Sequence, residues 1–160
     1  MRKVLHLTLT ISIFCAFALT GCSKDNEVEP SKQALIAGKK WAPFSGTYRI
    51  GKGPEQDALE GSTDCLFDDY NMYYKNGQYE YNNGATKCTE ESAQVSARGT
   101  WFINGDTLNV YISLGPGAVW PSRRRIVKLT EHELITEDLL SAHEDPDSAW
   151  VSTFTYRVLD

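Results

Sequence analysis

The side chains best suited to covalent or metal chemistry are the four cysteines and three histidines of this 160-residue chain. A catalytic cysteine needs a nearby base, but His132 and His143 are both distant in sequence from Cys65 and Cys88. The sequence contains no G-x-S-x-G, G-x-x-x-x-G-K-[ST], H-E-x-x-H or C-x-x-C motif, the patterns that mark nucleophilic serines, phosphate loops and metal or redox sites. We therefore expect no enzymatic activity, no cofactor and no metal.

Two acidic clusters, Asp68-Asp69 and Asp145-Pro146-Asp147, could bind a cation or act as an acid–base pair. Neither has the D-x-D-x-D-G spacing of a calcium loop. Neighbouring side chains on a strand point to opposite faces, so Asp68 and Asp69 should not act together. The second cluster is typical of a turn.

The net charge is −5, from 16 basic and 21 acidic residues, which argues against a general nucleic-acid binder because such proteins carry a basic excess. The basic run is Arg123-Arg124-Arg125. On a strand, Arg124 would face opposite to its two neighbours. It could then meet an anionic ligand or lipid head groups, and the alternative is the solvated start of a strand.

The N-terminus has the organisation of an export signal. Arg2 and Lys3 precede an apolar stretch, residues 4–18, which is shorter than the roughly 20 residues needed to span a bilayer. The next residues, Leu19-Thr20-Gly21-Cys22, resemble a bacterial lipobox, whose cysteine becomes the lipidated N-terminus. A plain signal peptide with an incidental cysteine is the alternative.

Lipidation of Cys22 by palmitate and related acyl chains would anchor the protein to a membrane. Ser23 stands where an aspartate would favour the inner membrane, so we expect the outer membrane, at its periplasmic face or at the cell surface. The polar, acidic residues 23–30 predict a disordered tether. We divide the chain into a signal peptide (1–21), a lipidated cysteine with a flexible tether (22–37) and a single domain (38–160).

Cys65 and Cys88 remain in the expected domain, because Cys15 lies in the signal peptide and Cys22 is the lipid site. Disulfides persist outside the cytoplasm. A bridge over this span would stabilise the fold by about 3–4 kcal/mol if it acts by restricting the unfolded chain. A disulfide is therefore favoured over a catalytic thiol.

Alternating apolar and polar residues predict strands along most of the domain. Asn76-Gly77 and Asn104-Gly105-Asp106 are hairpin signals, and Pro43 and Gly46 predict a bulge or an edge. The predicted strands are 40–50, 70–75, 78–82, 98–103, 107–113, 124–129, 133–137 and 150–158. Successive hairpins favour an all-β, up-and-down antiparallel barrel of about eight strands, because closure removes exposed edges. A sandwich of about seven strands is the alternative.

The order of several short motifs resembles the lipocalin-like domain lipoproteins of bacterial envelopes. These motifs are Asp64-Cys65, Asp68-Asp69, Gly84-Ala85-Thr86-Lys87-Cys88, Gly99-Thr100-Trp101 and Asp106-Thr107-Leu108. The resemblance covers about residues 38–158. It implies a small lipocalin-like β-barrel with a Cys65–Cys88 bridge, and it implies no particular ligand.

The same resemblance makes Trp41 the opening tryptophan, at the floor of the barrel. In lipocalins an arginine of the last strand often stacks on this residue, and Arg157 is the candidate here. Because Arg157 alternates onto the face opposite Phe154 and Tyr156, an exposed Arg157 is the alternative.

The domain is rich in tyrosine, whose apolar ring and polar hydroxyl suit a site for partly apolar small molecules. Cross-strand packing is the alternative use of these rings. The candidate ligand-binding residues are Tyr73, Tyr79, Tyr81, Trp101 and Tyr156.

These patterns predict a membrane-anchored lipocalin-like lipoprotein that binds a small, partly apolar molecule in its barrel. The alternative is an interaction or structural lipoprotein of the envelope without a ligand cavity. Its partner would dock on an outer face or on a loop predicted at residues 113–121, which carries Trp120. The expected partners are thus the membrane, a small apolar ligand or an envelope protein, and no nucleic acid.

Overall fold

The computed structural model describes residues 29–138 and 149–159. Within these ranges the chain forms one short α-helix, one turn of 3-10 helix and nine β-strands. The helix is α1 (Lys32–Ile36) and the 3-10 turn spans Asp64–Leu66. The strands are β1 (Lys40–Ile50), β2 (Gln56–Asp57), β3 (Tyr70–Tyr73), β4 (Gln78–Asn82), β5 (Val95–Asn104), β6 (Thr107–Gly115), β7 (Ala118–Leu129), β8 (Glu133–Asp138) and β9 (Trp150–Val158).

Eight of the strands close into an antiparallel barrel. The order is β1-β3-β4-β5-β6-β7-β8-β9, and β9 pairs back onto β1 from Trp41↔Val158 to Ile50↔Trp150. The short strand β2 is an addition that pairs with β1 at Thr47↔Asp57 and Tyr48↔Gln56. The predicted eight-stranded barrel is confirmed, and the sandwich is excluded.

Turn chemistry explains most of the connections. Gly77 and Gly105 have φ values of 83° and 59°, which L side chains rarely adopt, and each completes a tight hairpin. The predicted bulge in β1 lies between Pro43 and Ser45, where the register with β9 shifts. Residues 113–121 are a hairpin with strand on both sides rather than the loop expected from the sequence.

Helix α1 covers one end of the barrel. The Ser31 hydroxyl caps the helix by accepting a hydrogen bond from the backbone N–H of Ala34 at 3.2 Å. Ile36 is fully buried, and its carbonyl accepts a 2.9 Å hydrogen bond from Trp41 Nε1. The described part of the expected tether, 22–37, therefore ends in a packed helix.

The hydrophobic core fills the α1 end of the barrel. Its members come from all eight strands of the closed barrel and from the helix and its C-terminal cap: Ile36, Ala37, Trp41, Tyr73, Tyr79, Trp101, Leu108, Val110, Ile126, Leu134 and Tyr156. The rings of Tyr73 and Trp101 meet edge to face, with centroids 5.2 Å apart. Because side chains two residues apart share a face of a strand, one inward row per strand supplies this core.

The opposite end of the barrel, which we call the mouth, carries the β4–β5 connection and the β6–β7 hairpin. The predicted disulfide lies at this end and is confirmed: Cys65 is bonded to Cys88, with Cα atoms 5.2 Å apart. It links the 3-10 turn before β3 to the segment after β4. Two connections at the mouth are thereby held together covalently.

Candidate functional site

An open cavity of about 410 Å³ lies in the mouth, above the core. Apolar side chains form most of its wall: Pro43, Leu59, Leu66, Ala97, Ile112 and Phe154. Its polar lining consists of Asn71, Tyr79, Tyr81, Arg124 and Tyr156. A cavity with apolar walls and a few polar groups has the composition of a small-molecule site.

Strand alternation places the polar groups. Tyr79 and Tyr81 are two residues apart on β4, and Phe154 and Tyr156 are two apart on β9, so each pair faces the interior together. On β7, Arg124 lies between two buried inward residues, Ser122 and Ile126. Arg123 and Arg125, on the other face of that strand, are exposed.

Tyr79 is fixed by a buried hydrogen-bond chain. Its hydroxyl donates to Asn71 Oδ1 at 2.7 Å, and Asn71 Nδ2 donates to the Trp41 carbonyl at 3.3 Å. Burial raises the pKa of Tyr79 to about 12. The phenol is therefore a neutral donor that ties the cavity to the core.

Tyr81 is fixed by the acidic pair that the sequence singles out. Its hydroxyl donates to Asp69 Oδ2 at 2.9 Å, and Asp69 Oδ1 accepts the backbone N–H of Gly84 at 2.8 Å. Burial and this carboxylate raise the pKa of Tyr81. Asp68 accepts the backbone N–H of Thr86 at 2.8 Å, so both carboxylates brace the segment that leads to the disulfide.

No group of three or more potential metal-ligating side chains occurs within residues 29–138 and 149–159. In this part of the chain, Asp68 and Asp69 bind backbone and tyrosine groups as just described. The cluster Asp145-Pro146-Asp147 and His143 lie outside the described residues.

Arg124 brings a positive charge into the cavity. Its Nη1 donates a 2.9 Å hydrogen bond to the hydroxyl of Tyr156. Electrostatic interactions, the largest with Tyr156, raise the pKa of Arg124 although burial opposes them. Arg124 is also the Cα partner of Asp138 on β8, whose carboxylate contributes in the same direction.

The predicted ligand-binding residues divide into two layers. Tyr79, Tyr81 and Tyr156 line the cavity. Tyr73 and Trp101 lie below it in the core, with only 2% and 3% of their surfaces exposed. Tyr73 packs against Tyr79, with ring centroids 5.4 Å apart, so the lower layer supports the upper one.

The predicted floor residue, Trp41, is fully buried at the α1 end. Arg157 does not stack on it. Arg157 is exposed, and its guanidinium carbon lies 3.3 Å from the centre of the Phe44 ring on the outside of the barrel. Alternation along β9 therefore predicts the exposed position of Arg157 correctly, and the predicted stacking on Trp41 is wrong.

Several cavity residues were not among the sequence candidates. The sequence contained a signal for two of them. Phe154 lies two residues from Tyr156 and so shares its face of the strand, and Arg124 points to the opposite face from Arg123 and Arg125. Leu59 and Leu66 lie in the long connection between β2 and β3. Sequence periodicity does not predict the path of such a connection.

Cys22 and the expected signal peptide lie outside the described residues. Among the residues that are described, no helix has the length and apolar character required to cross a membrane. No protein-family model matches the sequence, and no curated protein is significantly similar to it.

Proposed function

We propose that the protein is a lipid-anchored lipoprotein of the cell envelope, resembling lipocalins, that binds a small, partly apolar molecule in the mouth of its barrel. The cavity of about 410 Å³ is the observation that supports binding. Ligand sites commonly measure roughly 300–1,000 Å³ and combine apolar walls with a few placed polar groups. In this proposal the residues bind and orient the molecule and do not transform it.

The division into two layers supports a binding role for the upper one. The lower layer is filled by close-packed rings such as Tyr73 and Trp101. The upper layer retains space, and its phenols Tyr79 and Tyr81 are already oriented by Asn71 and Asp69. Groups that are fixed before binding lose little conformational freedom when the ligand arrives.

A pair of variants on one strand tests the cavity. Ala97 lines the cavity, whereas Thr100 on the same strand β5 is exposed. Ala97→Phe should fill the cavity and weaken the binding of a fluorescent apolar probe. We expect the affinity to fall by about tenfold or more, which corresponds to about 1.4 kcal/mol. Thr100→Phe should leave binding unchanged. Equal binding by both variants would remove the cavity from the proposal.

Metabolic labelling tests the anchor separately. We expect palmitate to enter the full-length protein and to be lost in Cys22→Ser, with a shift of the protein out of the membrane fraction. Several acyl chains bind a bilayer far more firmly than one. Labelling that persists in Cys22→Ser would place the lipid on another residue, and no labelling of the unsubstituted protein would exclude the anchor.

A second candidate function, docking of an envelope protein, is favoured by the β6–β7 hairpin. Leu114, Val119 and Trp120 are 63%, 59% and 59% exposed there, and clustered exposed apolar side chains often mark an interaction surface. Trp120→Ala should then reduce capture of a specific envelope protein. The control Val127→Ala, on the same strand but away from the hairpin, should not. Unchanged capture by Trp120→Ala would exclude this surface.

A further inference from the structure

The charge inside the cavity indicates which class of molecule it accepts. We propose that the ligand carries an oxyanion head group, a carboxylate or a phosphate monoester, which binds Arg124 and Tyr156 while its apolar body points toward the mouth. This inference rests on the proposed binding function and makes it more specific. It needs no catalytic step.

The first argument is the cost of placing a guanidinium in this environment. Arginine remains charged in proteins, and a charge that is taken out of water must be paired or well solvated. Among the described residues, no ion pair includes Arg124. Its hydrogen bond goes to the Tyr156 hydroxyl, and Tyr73 and Tyr79 nearby are phenols whose pKa values burial raises.

These phenols solvate the cation at neutral pH without neutralising it. The carboxylate of Asp138 favours the charged guanidinium from the neighbouring strand, whereas the hydrogen bond of the guanidinium goes to the neutral hydroxyl of Tyr156. The upper layer of the barrel therefore has a positive centre. An anionic group that enters the cavity gains more from it than a neutral group of the same shape.

The second argument is the supply of hydrogen-bond donors. A guanidinium has five N–H donors in a planar fork that fits the oxygens of a carboxylate or a phosphate. One of them is used by Tyr156. Because the Tyr156 hydroxyl accepts that bond, its own proton can be donated to an oxygen of the same anion. Arg124 and Tyr156 can thus bind one oxyanion from two sides.

The third argument is the direction of the cavity. Arg124 is the Cα partner of Leu108, which is fully buried in the core, and its guanidinium binds the hydroxyl of Tyr156, another core residue. The charged group therefore lies at the core end of the cavity. Leu59 and Leu66 belong to the connection at the mouth. A ligand with one polar end would therefore enter with the polar end first and bury its apolar part along Ile112 and Phe154.

Four probes that share one apolar chain and differ in their head groups measure how much the head group contributes to the affinity. Decanoate, decyl phosphate, decan-1-ol and decylammonium would be titrated calorimetrically at neutral pH into the chain from Ser23 to Asp160. This chain contains every residue of the closed barrel and its core. We expect at least one of the two anions to bind about tenfold or more tightly than decan-1-ol, and decylammonium to bind most weakly.

Two adjacent arginines provide a matched pair of variants. Arg124→Gln should abolish the preference for the anion over the alcohol. Arg125→Gln should retain it, because Arg125 is exposed on the outer face and pairs there with Glu137 at 2.9 Å. If Arg124→Gln does not fold, the comparison of the four probes on the parent chain still decides the question.

The outcomes distinguish this inference from the function on which it rests. Equal affinity for decanoate, decyl phosphate and decan-1-ol would overturn the oxyanion head group but leave a binding protein. Binding of none of the four would overturn both. A preference for decyl phosphate over decanoate, or the reverse, would support the inference and identify which head group is bound.

Discussion

Two glycines in the most distinctive segments of the sequence are required by close contacts. A Cβ atom at Gly84 would lie 2.2 Å from the carboxyl carbon of Asp68. A Cβ atom at Gly99 would lie 2.1 Å from the backbone oxygen of Tyr111 on the neighbouring strand. Both contacts involve atoms that are fixed by hydrogen bonds or strand pairing. The need for glycine is therefore steric at both positions.

Gly99→Ala should destabilise the protein by about 1–3 kcal/mol, the usual cost of forcing extra atoms into a packed site. The free energy of unfolding in urea measures this effect. Thr100→Ala, at the next and exposed position, is the control and should change stability by less than about 0.5 kcal/mol. Equal stabilities of the two variants would mean that β5 and β6 separate at no cost.

The buried phenols predict a loss of stability in alkali. Burial raises the pKa of Tyr79 to about 12 from its usual 10.0, and it raises the pKa of Tyr73 and Tyr81 as well. The contribution of these phenols to the free energy of unfolding is fully present below pH 10.0, because the phenols are then protonated in both the folded and the unfolded state. It is lost as the pH rises toward 12, because the unfolded chain releases its phenolic protons first.

Urea unfolding at a series of pH values, together with phenolate absorbance, checks this behaviour. Tyr79→Phe should make the alkaline decline shallower, although it also removes the hydrogen bond to Asn71. A free energy of unfolding that stays constant up to pH 12 would show that these phenols ionise as easily in the folded state as in the unfolded state.

The sequence could predict which way a residue faces but not how deep it lies. Alternation puts Tyr73, Tyr79 and Tyr156 inside the barrel. Their depth depends on which residues are opposite one another, as in the pair Tyr73↔Tyr79 that the Gly77 turn fixes. The cavity and the core therefore become distinct only when the register is known.

At the scale of elements, the disulfide stabilises the wall of the cavity. Leu66 lines the cavity, and its neighbour Cys65 is bonded to Cys88 at the end of the segment braced by Asp68 and Asp69. The bridge and the carboxylates thus hold the same two connections. The elimination of Cys15 and Cys22, the expected location outside the cytoplasm and the family resemblance predicted the bridge, but not its place beside the cavity.

Replacement of both cysteines by alanine should lower the free energy of unfolding by about 3–4 kcal/mol if the bridge acts by restricting the unfolded chain. We also expect weaker binding of an apolar probe, because Leu66 is no longer held at the mouth. Urea unfolding and probe titration measure the two effects. Binding that stays unchanged in a folded variant would show that the carboxylates alone position this wall.

The β6–β7 hairpin shows why one element could not be predicted correctly. The residues Gly115, Pro116 and Gly117 favoured a loop. Pro121 also argued against a strand, because it lacks the backbone N–H that would pair with a neighbouring strand. In the structure Gly115 and Gly117 have positive φ values and form a tight turn, and Pro121 pairs with Tyr111 within the sheet. Turn signals were present, but their positions within the hairpin were ambiguous.

At the scale of the whole molecule, closure of the barrel is the feature that no local sequence pattern predicts. Every hairpin from β3 to β8 joins strands that are close in sequence. The pairing of β1 with β9 joins the two ends of the domain and includes the bulge between Pro43 and Ser45. Closure was predicted from the number of successive hairpins, the cost of exposed edges and the family resemblance, and it creates the interior that holds both the core and the cavity.

The most direct test of the central claim is native mass spectrometry of the protein purified from its own envelope. We predict that the parent retains a bound small molecule, and that Ala97→Phe is recovered with the mass of the protein alone. The parent appearing only at its own mass, with decanoate, decyl phosphate and decan-1-ol all failing to bind when added, would contradict the account.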